Sequence, residues 1–273
     1  MKTTLNFILF DSHSEFAAWL ASQKVSRKIT MIQNHHTWLP NYTQFNGSNH
    51  FERLEAMRNF HMKSNGFAEV AQQLTTFPDG KIAYSQGRGF NIAPAGIKGA
   101  NANGICIEHF GNFDIGGDNL TEEHRDTILF LNKALCNKFN LEISTEHVVY
   151  HAWWNSAGHC IYDLKTGAKK SGMSVKSCPG TNFFGGNTVV DAQKGFIPLI
   201  KSYSTSNNNK NNNNEESDEM KLSDNEWKMA KTALQNLYDK KVISDLNWIK
   251  KAEKKELTIS ELSWLNLILL SRK

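Results

Sequence analysis

The stretch YSTSNNNKNNNNEESDEM, residues 203–220, does most to limit what this chain can become. It offers almost no apolar side chain, so burial cannot offset the entropy of ordering it, roughly 1–2 kcal/mol per residue for the backbone alone. One continuous core cannot run through such a segment. The 273-residue chain is therefore expected to fold as two pieces on a flexible tether: a larger one at 1–202 and a small one at 221–273.

Charge divides at the same place. The formal net charge is +4, and residues 221–273 hold eleven Lys/Arg against seven Asp/Glu, so the tail carries the whole excess. That excess is too small to point to nucleic acid. The N-terminal apolar run, Phe7–Phe10, stops at Asp11 and is too short for a signal sequence or a membrane span. No later run is long enough to insert in a membrane, so synthesis in the cytoplasm without a signal peptide is expected. The four cysteines form no CxxC pair, which argues against a disulfide scaffold or an all-cysteine zinc knuckle.

Residues 1–202 read as a mixture of strands and helices. KITMIQ and GICIEHFGNF are short buried strands, and HVVYHAWW is a strand end. HFERLEAMRNFHMKS spaces Phe51, Leu54, Met57 and Phe60 as a helix does. Pro78-Asp79-Gly80 turns a hairpin. Thr121 caps a long helix with acids in its first turn. Strands interleaved with helices predict an α/β fold, a central mixed sheet flanked by helices. Beyond the tether, Ser223-x-x-Glu226 and Thr258-x-x-Glu261 are capping boxes. Apolar stripes at Trp227, Ala230, Leu234, Leu237 and Tyr238, and at Leu262, Leu265, Ile268 and Leu269, predict a three-helix module. Its middle helix, ISDLNWIKKA, would present Trp248.

Chemistry-bearing residues gather at strand ends. His35 and His36 close the first long strand in IQNHHTWLP, His151 closes a later one, and Cys178 sits in VKSCPGTNFFGG. Two imidazoles, a thiolate and a water make a catalytic rather than a structural zinc site. Spacing alone leaves ordinary buried histidines and a free cysteine equally open. Alternation puts His35 and His36 on opposite faces and does not choose between them.

The blocks IQNHHTWLP, GFAEVAQQLTTFPDGKIAYSQGRGFNIAPAGIKGANANGICIEHFGNFD and YHAWW…KSCPGTNFFGG follow one another in an order that resembles the zinc-dependent N-acetylmuramoyl-L-alanine amidases. That superfamily is shared with the peptidoglycan recognition proteins, and the likeness is to its clostridial and phage endolysin branch. The resemblance spans roughly residues 25 to 200. It implies cleavage of the amide between N-acetylmuramic acid and L-alanine in bacterial peptidoglycan, with release to the wall through a holin or lysis. It implies zinc ligands His35, His151 and Cys178, an oxyanion-stabilising Lys176 and a proton-carrying Glu108, with His36 at the rim. Where some relatives carry a tyrosine, this chain has Gln72, expected to hydrogen-bond substrate. Trp153 and Trp154 are expected either to line a glycan cleft or to pack. The long stretch between His151 and Cys178 is expected to form a hairpin or flap at the cleft edge, with His159 and Cys160 as rival ligands. His61 reads as a packed or hydrogen-bonded histidine, and Cys106 and Cys136 as simple core. The competing readings are a non-cleaving peptidoglycan binder and a peptidase with Cys178 as nucleophile.

Overall fold

The computed structural model describes residues 1–174, 176–204, 222–258, 261, 262 and 265. The chain separates into two compact units, residues 1–208 and 209–273. Most of the tether, and Trp264, Ile268 and Leu269 of the third helical segment, lie outside the described residues. Among the described residues no helix is long and apolar enough to cross a membrane.

The first unit is built on seven strands: β1 (Lys2–Thr3), β2 (Phe7–Phe10), β3 (Met31–His36), β4 (Leu74–Thr76), β5 (Ile82–Ser85), β6 (Gly104–His109) and β7 (Val148–Tyr150). Their order across the sheet is β1-β2-β5-β4-β6-β3-β7. β1, β2, β5 and β4 pair antiparallel, whereas β4, β6, β3 and β7 run parallel. The sheet is thus mixed, as the alternation of strand and helix patterns led us to expect. Parallel strands need long crossovers and both faces covered. Helices α1 (His13–Ser22), α3 (Glu122–Phe139), α4 (Val189–Lys194) and α5 (Phe196–Ser202) supply one cover, packing on Phe10, Ile32, Leu74, Ile105 and Ile107. Helix α2 (His50–Lys63) supplies the other, setting Leu54 and Met57 against Phe7, Leu9, Phe77 and Ala83.

β1, β2 and α1 were not legible as elements. FILF is apolar at every position, so it carries no alternation, yet it pairs along its length with β5 because both of its faces are buried. The start of α1 did carry a signal, since Ser12 accepts the Glu15 N–H as an N-cap. Thr121 caps α3 in the same way through the His124 N–H.

A chain of neutral hydrogen bonds crosses the sheet behind the ends of β3 and β6. Asn34 Oδ1 accepts from Asn132 of α3 at 2.9 Å, so its 3.0 Å contact with His109 Nε2 makes that nitrogen a donor. His109 Nδ1 then accepts from Thr76 Oγ1 (2.8 Å), Thr76 accepts from His124 Nε2 (2.7 Å), and His124 Nδ1 accepts from the Tyr42 hydroxyl (2.6 Å).

In the second unit, α6 (Asp224–Asp239) opens with the Ser223–Glu226 capping box, and α7 (Asn247–Lys254) follows. Trp227, Leu234, Ile243, Ile249, Ala252, Leu257 and Leu265 form its core. Thr258 and Glu261 exchange the hydrogen bonds of the second box. The middle helix has no side-chain cap hydrogen bond. Its cap position is Leu246, and the Asp245 carboxylate takes the Asn247 N–H instead.

Candidate metal centre and active site

In a sheet with parallel strands, ligands bind beyond the carboxyl ends, and the candidate residues collect there. β3 and β6 pair in parallel so that His35 lies beside Glu108. His151 is the first residue after β7, in a turn of 3-10 helix, His151–Trp153. The two Nδ1 atoms of His35 and His151 lie 3.2 Å apart. Cys178 Sγ accepts the His36 N–H at 3.3 Å, and the donor atoms of His35, His151 and Cys178 all fall within 4.8 Å of one another. Two imidazole nitrogens about 2.0–2.1 Å from a tetrahedral ion would stand roughly 3.3–3.4 Å apart, so the pair fits one metal ion.

The turn that carries Cys178 is held from several sides. Asp114 accepts from Ser177 Oγ (2.9 Å) and from the Thr181 N–H (3.0 Å), Asn187 Nδ2 donates to Ser177 O (2.7 Å), and the Ala152 N–H donates to Cys178 O (2.8 Å). Gly180 has φ +124°, and a Cβ there would come 2.3 Å from Phe113 O, so the residue after Pro179 must be glycine.

Burial sets the protonation of the group. It holds His35 well below the ordinary histidine value, with His151 adding to the effect, and it lowers His151 to about 4 with help from Lys176. It pushes the Cys178 thiol well up, and Glu108 adds to that. Burial likewise raises the Glu108 carboxyl to about 8 against the opposing pull of Lys176. Both imidazoles therefore keep lone pairs free, and a bound cation would displace the thiol proton.

Above these residues opens a cavity of about 570 Å³, walled by His36, Thr37, Trp38, His61, Phe67, Gly96, Glu108 and Lys176 among others. A second lobe of about 510 Å³ shares Thr37, His61, Glu108 and Lys176 and continues along Leu39, Phe60, Met57 and Arg53. Trp38, Leu39 and Phe60 are more than half exposed at this cleft, and Arg53 Nε is buried there with no partner among the described residues.

The structure brings His35, His36, His151, Cys178, Glu108 and Lys176 to the cavity. His36 contributes despite the alternation of its strand; its ring is held by the Phe113 N–H at Nδ1 (3.1 Å). Two expected substrate contacts are not at the cavity. Gln72 is fully buried, its amide nitrogen 3.1 Å from Thr75 Oγ1 and 2.8 Å from Met57 Sδ, and only its neighbour Ala71 reaches the wall. Trp153 is fully buried too, with its indole N–H on Asn187 O, and Trp154 packs in the same core. The long stretch before Cys178 does not edge the cleft along its length. Its middle folds against Thr30, Met31 and His147 at the opposite ends of β3 and β7, taking Cys160 with it, while His159 is exposed. Among the described residues of this stretch, Lys176 to Cys178 reach the cavity. Three contributors escaped the sequence reading: His61 in the wall, Asp114 behind the Cys178 turn, and Cys106, which approaches His35 and Glu108 within 4.8 Å from beneath.

Comparison with solved structures returns a wild-type Drosophila PGRP-LB at 16% identity, covering 59% of this chain and 79% of that one, with a TM-score of 0.44. It also returns the N-acetylmuramoyl-L-alanine amidase LysC from Clostridium intestinale at 24% identity, 57% and 80% coverage and a TM-score of 0.40. A Drosophila PGRP-LB mutant in complex with tracheal cytotoxin matches at 16% identity, 59% and 81% coverage and a TM-score of 0.45. Comparison with curated proteins gives no match. The family profile described as N-acetylmuramoyl-L-alanine amidase matches residues 25–181, more than half of the chain. On that match, the chain belongs to the N-acetylmuramoyl-L-alanine amidase family.

Proposed function

We propose that this protein is a zinc-dependent N-acetylmuramoyl-L-alanine amidase that degrades bacterial peptidoglycan, as an endolysin or autolysin does. The observation that carries the reading is the convergence of His35 Nδ1, His151 Nδ1 and Cys178 Sγ at the floor of a cleft also lined by Glu108 and Lys176. His35, His151 and Cys178 would hold the ion. Zinc supplies, when bound, Lewis-acid polarisation and a water made acidic enough to attack at neutral pH. Glu108 accepts the proton of the attacking water at its carboxylate and returns it to the leaving L-alanine nitrogen. A cation beside it favours the ionised form that burial alone opposes. The Lys176 ammonium faces the same space and stabilises the oxygen on which charge develops.

The test is digestion of purified peptidoglycan by the full chain, before and after chelation and zinc add-back, read by mass spectrometry. New L-alanine amino termini that appear only with metal are the expected result. Reducing sugar ends or cuts within the peptide stem would overturn the reading. Binding without cleavage would point to a recognition protein, and activity that survives chelation but not thiol alkylation would make Cys178 a nucleophile.

A further inference from the structure

His61 stands on the last turn of α2 and lines both lobes of the cleft together with Glu108, Lys176 and Thr37. Its Nδ1 accepts the Ala71 backbone N–H at 3.1 Å. A peptide N–H can only donate, so Nδ1 must keep its lone pair and the neutral ring must carry its proton on Nε2. Adding a second proton at Nδ1 would set two N–H groups against each other. Burial, with Arg88 nearby, also keeps His61 below the ordinary histidine value. Phe67 packs beside the ring, centroids 5.8 Å apart. Nε2 has no hydrogen-bond partner among the described residues, so nothing in the fold uses the donor that the Ala71 contact creates.

We propose that His61 Nε2–H is a fixed hydrogen-bond donor to the scissile carbonyl oxygen, strengthening as that oxygen becomes tetrahedral and negative. This rests on the amidase reading above. His61 forms and breaks no covalent bond and keeps its proton throughout, while the moving proton stays with Glu108. The neutral donor complements Lys176, and it stands in the cleft that Gln72, sealed against Met57 and Thr75, does not reach. Because the tautomer is set before substrate arrives, no reorganisation is needed as charge develops, the condition under which such a donor contributes most.

Two variants separate the donor from the anchor. His61→Asn places Oδ1 where Nδ1 was, so the Ala71 N–H keeps an acceptor, but nothing replaces Nε2–H. His61→Gln restores a donor near Nε2 and gives up the anchor. With the zinc-loaded full chain and a soluble muropeptide, His61→Asn is expected to lower kcat about 10²–10³-fold, with zinc stoichiometry, melting temperature and KM little changed. His61→Gln should recover part of that loss. Unchanged kcat in His61→Asn, or a rise in KM alone, would overturn the proposal, the latter marking a ground-state contact. Nitrogen-15 NMR of the wild-type histidines gives a readout independent of turnover: His61 should show the Nε2–H tautomer at pH 7, and the Nδ1–H form would also overturn it. A wild-type chain that binds zinc, shows this tautomer and releases no L-alanine termini would refute the amidase reading instead.

Discussion

At position 96 a side chain of any size would press on the residues around the proposed metal site. A Cβ there would stand 2.4 Å from Gln33 Oε1, 2.9 Å from Cys106 Sγ and 3.0 Å from His35 Nε2. Gly96→Ala is therefore expected to tilt the His35 ring and weaken zinc binding by about 10–100-fold, the range for disturbed ligand support. Calorimetric zinc titration checks this, and an affinity equal to wild type would show that the wall yields. The residues themselves tell which parts of the site a sequence can announce. His35, Glu108, His151 and Cys178 stand at strand ends or before a Pro-Gly turn, and the family blocks mark those places. The contrast between Gln72 and His61 is of another kind. His61 follows Leu54 and Met57 on the helical period of α2, whereas Gln72 lies in the connection before β4, where no period sets side-chain direction. Met57 and Thr75 draw Gln72 inward, and the Ala71 N–H turns His61 toward the cleft.

Between elements, the hydrogen-bond chain from Tyr42 to Asn34 joins the 3-10 turn Tyr42–Gln44, β4, β6, β3 and α3 behind the strand ends that carry His35 and Glu108. Every histidine in it is neutral. Burial lowers His124 to about 3, and it lowers His109 as well. The unfolded chain binds a proton at each near the ordinary value of 6.5, so it binds more protons than the fold once pH drops below that. The stabilisation is complete above about pH 6.5 and is lost as pH falls, for His124 on the order of 2–3 kcal/mol by pH 4.5, with His109 acting in the same direction. Urea midpoints measured at pH 7 and pH 4.5 should differ accordingly, and a flat profile would mean these rings charge within the fold. Thr76→Val removes the group that bridges the two rings and leaves two buried imidazole nitrogens unpaired. It should cost roughly 2–4 kcal/mol by thermal denaturation. The sequence offers no sign of this chain because its members, Tyr42, Thr76, His109 and His124, meet only after the strands have paired. The helices fared better. Periodicity and caps announce α2, α3 and α6, whereas the fully apolar β2 gives no alternation to read.

For the molecule as a whole, the two units differ in charge as well as size. The positive excess lies in the segment 221–273 that follows the tether, and α6 and α7 carry a compact apolar core of their own. We propose that this small unit holds the enzyme on the anionic cell wall and so raises its local concentration there. A chain ending at residue 204 should cleave soluble muropeptides like the full chain but sediment less with purified walls. The isolated 221–273 fragment should itself sediment, less so as salt rises. A fragment that stays in the supernatant at low salt would leave the helical unit without this role.

The link between the His36 N–H and Cys178 Sγ spans 142 residues of chain. His151 joins the same site only when β7 docks on β3. On the ribosome, the proposed metal site could not close until Cys178 has left the exit tunnel and the last parallel strand is in place. On the proposed reading, a truncated or half-made product would lack the hydrolytic centre, and the enzyme would stay inactive until synthesis of the first unit is essentially complete.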